Sequence, residues 1–146
     1  MALTPRNPDY DAKVRQSFAA QGMLRTLDAE IAALSPGRCN VTAPITPAVS
    51  QQQGFAHAAV SFALGDVACG YAALSLLPAD REVLTSEMKI HLLAPAQGNR
   101  LEARGEVIRA GRRLVITRAD VFALDDAGQE THCATLLGTM VSAAAG

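Results

Sequence analysis

Asp66 is the residue of this 146-residue chain whose surroundings most call for a chemical explanation. It lies inside "QQQGFAHAAVSFALGDVACGYAAL", residues 51–74, a run of mostly small and apolar side chains. A carboxylate buried in such company is costly unless it is paired, hydrogen-bonded or protonated. At helical spacing its neighbours are Phe62, Ala63, Cys69 and Gly70, none of them a cation. Either this face of the helix meets solvent or a backbone donor, or Asp66 is a general base or nucleophile held in a lined pocket.

A polar cluster stands at the start of the same run. Gln51, Gln52 and Gln53 read by default as loop amides, and His57 as a local hydrogen-bonding partner at the helix entrance. Nine residues separate His57 from Asp66. On an α-helix that is about 900° of rotation and roughly 13 Å of rise, so the two side chains cannot meet on one helix. In a symmetric dimer, the start of one helix can face the middle of its mate. A helix N-terminus offers free N–H groups and a partial positive charge, which suits an oxyanion forming on a carbonyl. Backbone donors near Ala58 beside a carboxylate base point to acyl transfer or ester hydrolysis.

The elements that must position these groups follow from periodicity. Residues 1–8 read as an irregular arm, and residues 9–27 as an amphipathic helix broken at Gly22. Residues 29–45 read as a hairpin around Ser-Pro-Gly-Arg, followed by a loop. The apolar run predicts a helix from about Phe55 to Leu76, ended by Pro78. Four β-like runs follow, separated by "PAQG", "GR" and "DDAG". In the third run Leu114, Ile116 and Ala119 are expected on one face, against Arg113, Thr117 and Asp120. The fold class is therefore α+β, a single domain over residues 1–146 in which an antiparallel sheet covers one long helix. The ends, 1–8 and 143–146, are expected to be loosely held. The helix is apolar nearly all round, more than one small sheet can cover, so a second copy is expected as the remaining cover.

Composition narrows the function classes. The formal net charge of -1 implies no general attraction to nucleic acid or to acidic membranes. The N-terminus lacks a signal-peptide layout, and Gly65, Asp66 and Gly70 interrupt the longest apolar stretch, against a membrane span. Cys39, Cys69 and Cys133 fit free thiols in a reducing cytoplasm, and no Cys/His spacing suggests a metal site.

Residues 51–74, followed by "VLTSEMKIHLLAPA", resemble the hotdog-fold acyl-CoA thioesterases of the phenylacetate-degradation (PaaI-like) type. The resemblance runs over roughly residues 20–142. It implies a hotdog fold and hydrolysis of an acyl-CoA thioester, with coenzyme A as part of the substrate and no separate cofactor. It also implies a site shared across a homodimer, and often a tetramer made of two such dimers. By position it makes Asp66 the carboxylate that activates water or attacks the thioester carbon, and Gln51 the amide that orients thioester or water. Ala58 takes the place of the first glycine after the histidine (here His57), whose N–H polarises the carbonyl. Thr85 matches a hydroxyl that positions water beside the carboxylate. The family's Gly-Gly is Ala58-Ala59 here, which leaves a backbone donor but adds two methyl groups. Arg104, Arg109, Arg112 and Arg113 are candidates for the CoA phosphates, with Arg112 first and Arg113 second. A solvated basic edge is the alternative. Tyr71 and Phe62 are expected in core packing before any acyl pocket. A non-catalytic acyl-CoA or fatty-acid binding protein on the same fold is the competing function, and a hydratase ranks last.

Overall fold

Ten backbone segments build the fold in the computed structural model, which describes residues 2–146. Two short helices, α1 (Tyr10–Ala20) and α2 (Gly22–Thr26), lead into the hairpin β1 (Glu30–Ser35) and β2 (Arg38–Pro44). A single 3-10 turn at Pro47–Val49 opens the loop before α3 (Ala58–Leu74). Four strands follow: β3 (Arg81–Leu92), β4 (Arg100–Ala110), β5 (Leu114–Leu124) and β6 (Glu130–Ala144). They join the hairpin in one six-stranded sheet of order β1-β2-β4-β5-β6-β3, antiparallel throughout.

The sheet curls around α3. Helix and sheet approach closely because the facing residues are small. A Cβ added at Gly105 of β4 would lie 2.5 Å from the Ala68 carbonyl carbon and 2.6 Å from its oxygen. Ala68, Cys69, Ala72 and Ala73 are fully buried on the helix side, facing Val41, Ala103, Ala119 and Leu136 across the core. The end of α3 is tied down by Ser75, whose Oγ donates to Ala72 O (2.7 Å) and accepts from Gly37 N–H (2.8 Å). The helix begins three residues later than periodicity suggests, because His57 caps it.

Two sequence expectations fail here. In β5 the buried residues are Val115, Thr117, Ala119, Val121 and Ala123, so Leu114 and Ile116 lie on the outer face and Thr117 on the inner. Thr117 can be buried because its hydroxyl donates to Gly138 O at 3.3 Å. Phe62 is not core: it is 37% exposed on the uncovered side of α3.

That uncovered side carries His57, Ala58, Ala59 and Phe62 exposed, with Ala63, Asp66, Val67 and Gly70 half-buried. Beside it runs β3, an edge strand that pairs with β6 alone among the described residues. Leu84 and Leu92 on β3 are 63% and 59% exposed. A β-bulge between Thr85 and Glu87 lets Thr85 and Met88, of opposite parity, both face the helix side opposite Met140 and Gly138.

Candidate active site

Asp66 projects from the middle of α3 toward β3. Its Oδ1 accepts a hydrogen bond from Thr85 Oγ1 at 2.7 Å, and the same Oγ1 lies 3.4 Å from Met140 Sδ. Asp66 Oδ2 has no protein partner among the described residues. Both residues line a cavity of about 220 Å³, with Val67, Gly70 and Tyr71 of α3 and Glu82, Val83 and Leu84 of β3. Ser17 and Gln21 of the α1 end close it. Asp66 is thus a half-buried carboxylate held by one hydroxyl and open to a pocket.

The helix start forms a separate place. His57 is the N-cap of α3, and its Nδ1 accepts from Ala59 N–H at 3.0 Å. Ala58 is the first helical residue, so its N–H has no intrahelical partner. The methyl groups of Ala58 and Ala59 are exposed, so neither crowds its own chain. Gln51 is turned into its loop: Oε1 accepts from the N–H groups of Gln53 (2.5 Å) and Phe55 (3.2 Å). Gln51, Ala58 and Phe55 line an apolar cavity of about 400 Å³ that ends on Leu92, Leu93, Pro95 and the buried Cys133.

Within one protomer these two places do not combine. Eight residues of α3 separate Ala58 from Asp66, roughly 12 Å of rise. They also lie toward opposite ends of β3, near Leu92 and near Thr85 respectively.

A family model described as the thioesterase superfamily matches residues 53–129, which include the helix start, Asp66 and Thr85. A thioesterase family protein from Silicibacter pomeroyi is 42% identical, with a TM-score of 0.91 over 93% of this chain and 99% of that one.

The chain belongs to the thioesterase superfamily. Its sheet wrapped on one long helix is the hotdog fold. A protein from Bacillus halodurans solved with CoA shares that fold, with a TM-score of 0.74 and 22% identity over 92% of this chain and 83% of that one. A curated relative from Saccharolobus solfataricus that carries an esterase name is 35% identical over 88 residues, 60% of this chain. The chain spans about half the length of that relative, 55%.

The basic residues differ in what holds them. Arg104 is occupied: its Nε is 2.8 Å from Glu102 Oε1, it forks onto Glu130, and its guanidinium lies 4.2 Å from the Phe122 ring centre. Those carboxylates hold its pKa above the ordinary arginine value. The Arg104 guanidinium is therefore already engaged by two carboxylates and a ring. Arg112 and Arg113 are exposed in the β4–β5 turn with no carboxylate partner among the described residues. The turn sits at the Thr85 end of the sheet, because Arg113 O accepts from Ser142 N–H and Ser142 pairs with Val83.

Cys69 is not a nucleophile: burial pushes its thiol up to about 12, and Cys39 likewise. Ser17 and Gln21 carried no role in the sequence reading. The one signal in the sequence is their i, i+4 spacing at the end of the first helical run.

Proposed function

We propose that this chain is an acyl-CoA thioesterase, working at a site shared between two protomers of a homodimer. The observation that carries the reading is the 2.7 Å hydrogen bond from Thr85 to Asp66 at the mouth of a pocket. It holds one carboxylate oxygen and leaves the other free to act as a base. The other half of the machinery is the free Ala58 N–H at the positive end of α3. The two halves come together only if β3 of a second protomer runs antiparallel along the exposed edge of the first. The Leu92 end of one strand then meets the Arg81 end of the other, and Ala58 of the partner subunit approaches Asp66.

In this site Asp66 takes a proton from water as the oxygen attacks the thioester carbon. The carbonyl oxygen becomes an oxyanion against Ala58 N–H and the helix end. Collapse breaks the C–S bond, the carboxylic acid leaves, and the proton on Asp66 passes to the CoA thiolate. Direct attack by Asp66 on the carbon is the variant route. Gln51 of the loop that precedes Ala58 would orient the thioester, and Arg112 and Arg113 would meet the CoA phosphates. The CoA held by the Bacillus halodurans protein of the same fold supports a CoA-bearing substrate. His57, busy as a cap, serves by fixing the helix start. Three buried free thiols favour a cytoplasmic setting, and no helix among the described residues is long and apolar enough to cross a membrane. Assembly as a dimer of dimers would follow the family's habit.

The test is Asp66→Asn assayed for thiol release from a panel of acyl-CoAs, with the oligomer measured in parallel. Turnover should disappear while the dimer remains; full activity would end the assignment. The second reading, a non-catalytic acyl-CoA binder, rests on Ala58-Ala59 in place of Gly-Gly. Tight binding without thiol release in the wild-type chain would favour it.

A further inference from the structure

The cavity beside Asp66 does not end in hydrocarbon. Tyr71 is 3% exposed, yet its hydroxyl lines the cavity with Ser17 and Gln21. Gln21 Nε2 donates to Tyr71 Oη at 2.6 Å, and Ser17 Oγ lies 3.1 Å from the same oxygen. The proton count of this trio is informative. Tyr71 and Ser17 each carry one O–H, and one of them donates to the other. Gln21 spends an N–H on Tyr71, so it satisfies neither hydroxyl proton. Whichever way the pair is oriented, one O–H is left without a protein acceptor among the described hydrogen bonds. It sits in the part-buried stretch of the cavity one turn along α3 from Asp66.

We infer that this pocket selects acyl groups of about six carbons that carry an uncharged, hydrogen-bond-accepting oxygen at the end remote from the thioester. Tyr71 and Ser17 are the specificity-determining residues. The inference rests on the thioesterase reading of Asp66 and deepens it. Length follows from volume: the part of the pocket that one protomer walls is about 220 Å³, little more than the about 150 Å³ engineered cavity that takes a benzene. Polarity follows from the spare donor, because burying it against a methyl end would leave it unpaired. Neutrality follows from Glu82, which lines the same cavity and repels a terminal carboxylate, its charge only partly met by Lys13 at 3.3 Å. Gln21 is a positioning residue: its amide N–H holds the Tyr71 oxygen.

The experiment compares binding of two non-hydrolysable ketone analogues of CoA thioesters, hexanoyl and 6-hydroxyhexanoyl, by calorimetry on the full chain. Thiol release from the two natural thioesters is measured alongside. The wild type should bind the hydroxylated analogue at least tenfold more tightly. Tyr71→Phe and Ser17→Ala should each narrow that ratio to about threefold or less. Ser17 is half-buried on α1, so its variant remains informative if Tyr71→Phe does not fold. Equal affinity for the two analogues, no binding of either, or a ratio untouched by both variants would overturn the inference. Selective binding without thiol release would overturn the hydrolase reading and leave this one standing; unselective hydrolysis would do the reverse.

Discussion

Gly105→Ala should separate the height of α3 above the sheet from every other source of stability. The new Cβ would stand 2.5 Å from Ala68 C, 2.6 Å from Ala68 O and 2.8 Å from Cys69 N. Carbon atoms rest at roughly 3.5–4.0 Å, so one element must retreat by about 1 Å. The obstacle is helix backbone, which no rotamer change can relieve. A gap of that size forfeits a quarter to a half of each contact's attraction along the fully buried row Ala68, Cys69, Ala72 and Ala73. Overpacking of this kind costs about 1–3 kcal/mol, and a backbone collision belongs at about 3. For a chain of 146 residues that lowers Tm by roughly 6–12 °C. Activity should fall further than the folded fraction, because lifting the helix pulls Asp66 away from Thr85 and the 2.7 Å bond cannot survive a 1 Å displacement. Gly70→Ala on the same helix is the control. Its nearest neighbour would be Val83 Cγ1 at 4.0 Å, so it should gain about 0.5–1 kcal/mol from helix propensity. Melting curves by circular dichroism and thiol release at 25 °C read both effects. A Gly105→Ala melting point within about 2 °C of wild type would refute the account of a contact-limited helix.

Other perturbations bear on the site and the core. Thr85→Val should cut thiol release by roughly tenfold or more, the scale of one hydrogen bond to a charged group, whereas Thr85→Ser keeps most of it; kinetics of the two side by side decide. His57→Ala should cost about 1 kcal/mol of stability in urea unfolding, because it removes the N-cap of α3. Arg112→Ala should raise KM for acyl-CoA with little change in kcat, and more so at low salt, as checked by steady-state kinetics. Cys39 and Cys69 stay protonated in the fold up to about pH 12 but ionise near 9 when unfolded. Their contribution to stability is therefore whole below about 9 and is lost as the pH climbs toward 12. Denaturant titrations across that window measure it, and both thiols should resist alkylation at neutral pH.

What could be read from the sequence followed local rules. The small-residue run, Pro78 and the turn dipeptides marked α3 and the strands that follow it, because these signals sit within a few residues of what they decide. The face of β5 was misread for a physical reason: Leu114, Ile116 and Phe122 lie on the outer face, so apolar character does not alternate. Thr117 is inward because a carbonyl on β6 accepts its proton, which no pattern along β5 records. The bulge at Ser86 breaks the parity of β3 in the same hidden way. At the site, Asp66 and Thr85 are 19 residues apart on different elements, and only family resemblance joined them beforehand. The polar end of the pocket stayed invisible, since Tyr71 meets Ser17 across 54 positions and Gln21 across 50. Arg104 looked free because its partner Glu130 is 26 residues away.

The open edge of β3 also makes the assembly measurable in time. The N–H groups of this strand that point away from β6 have no sheet partner within one protomer. In a lone chain they should exchange with deuterated solvent almost as fast as a loop, while those of β6, flanked by β5 and β3, stay protected for far longer. When two edges join, the same amides on β3 should slow together, residue by residue, as dilution is reversed. Exchange along this one strand is therefore a clock for how long the two halves of the site remain in company.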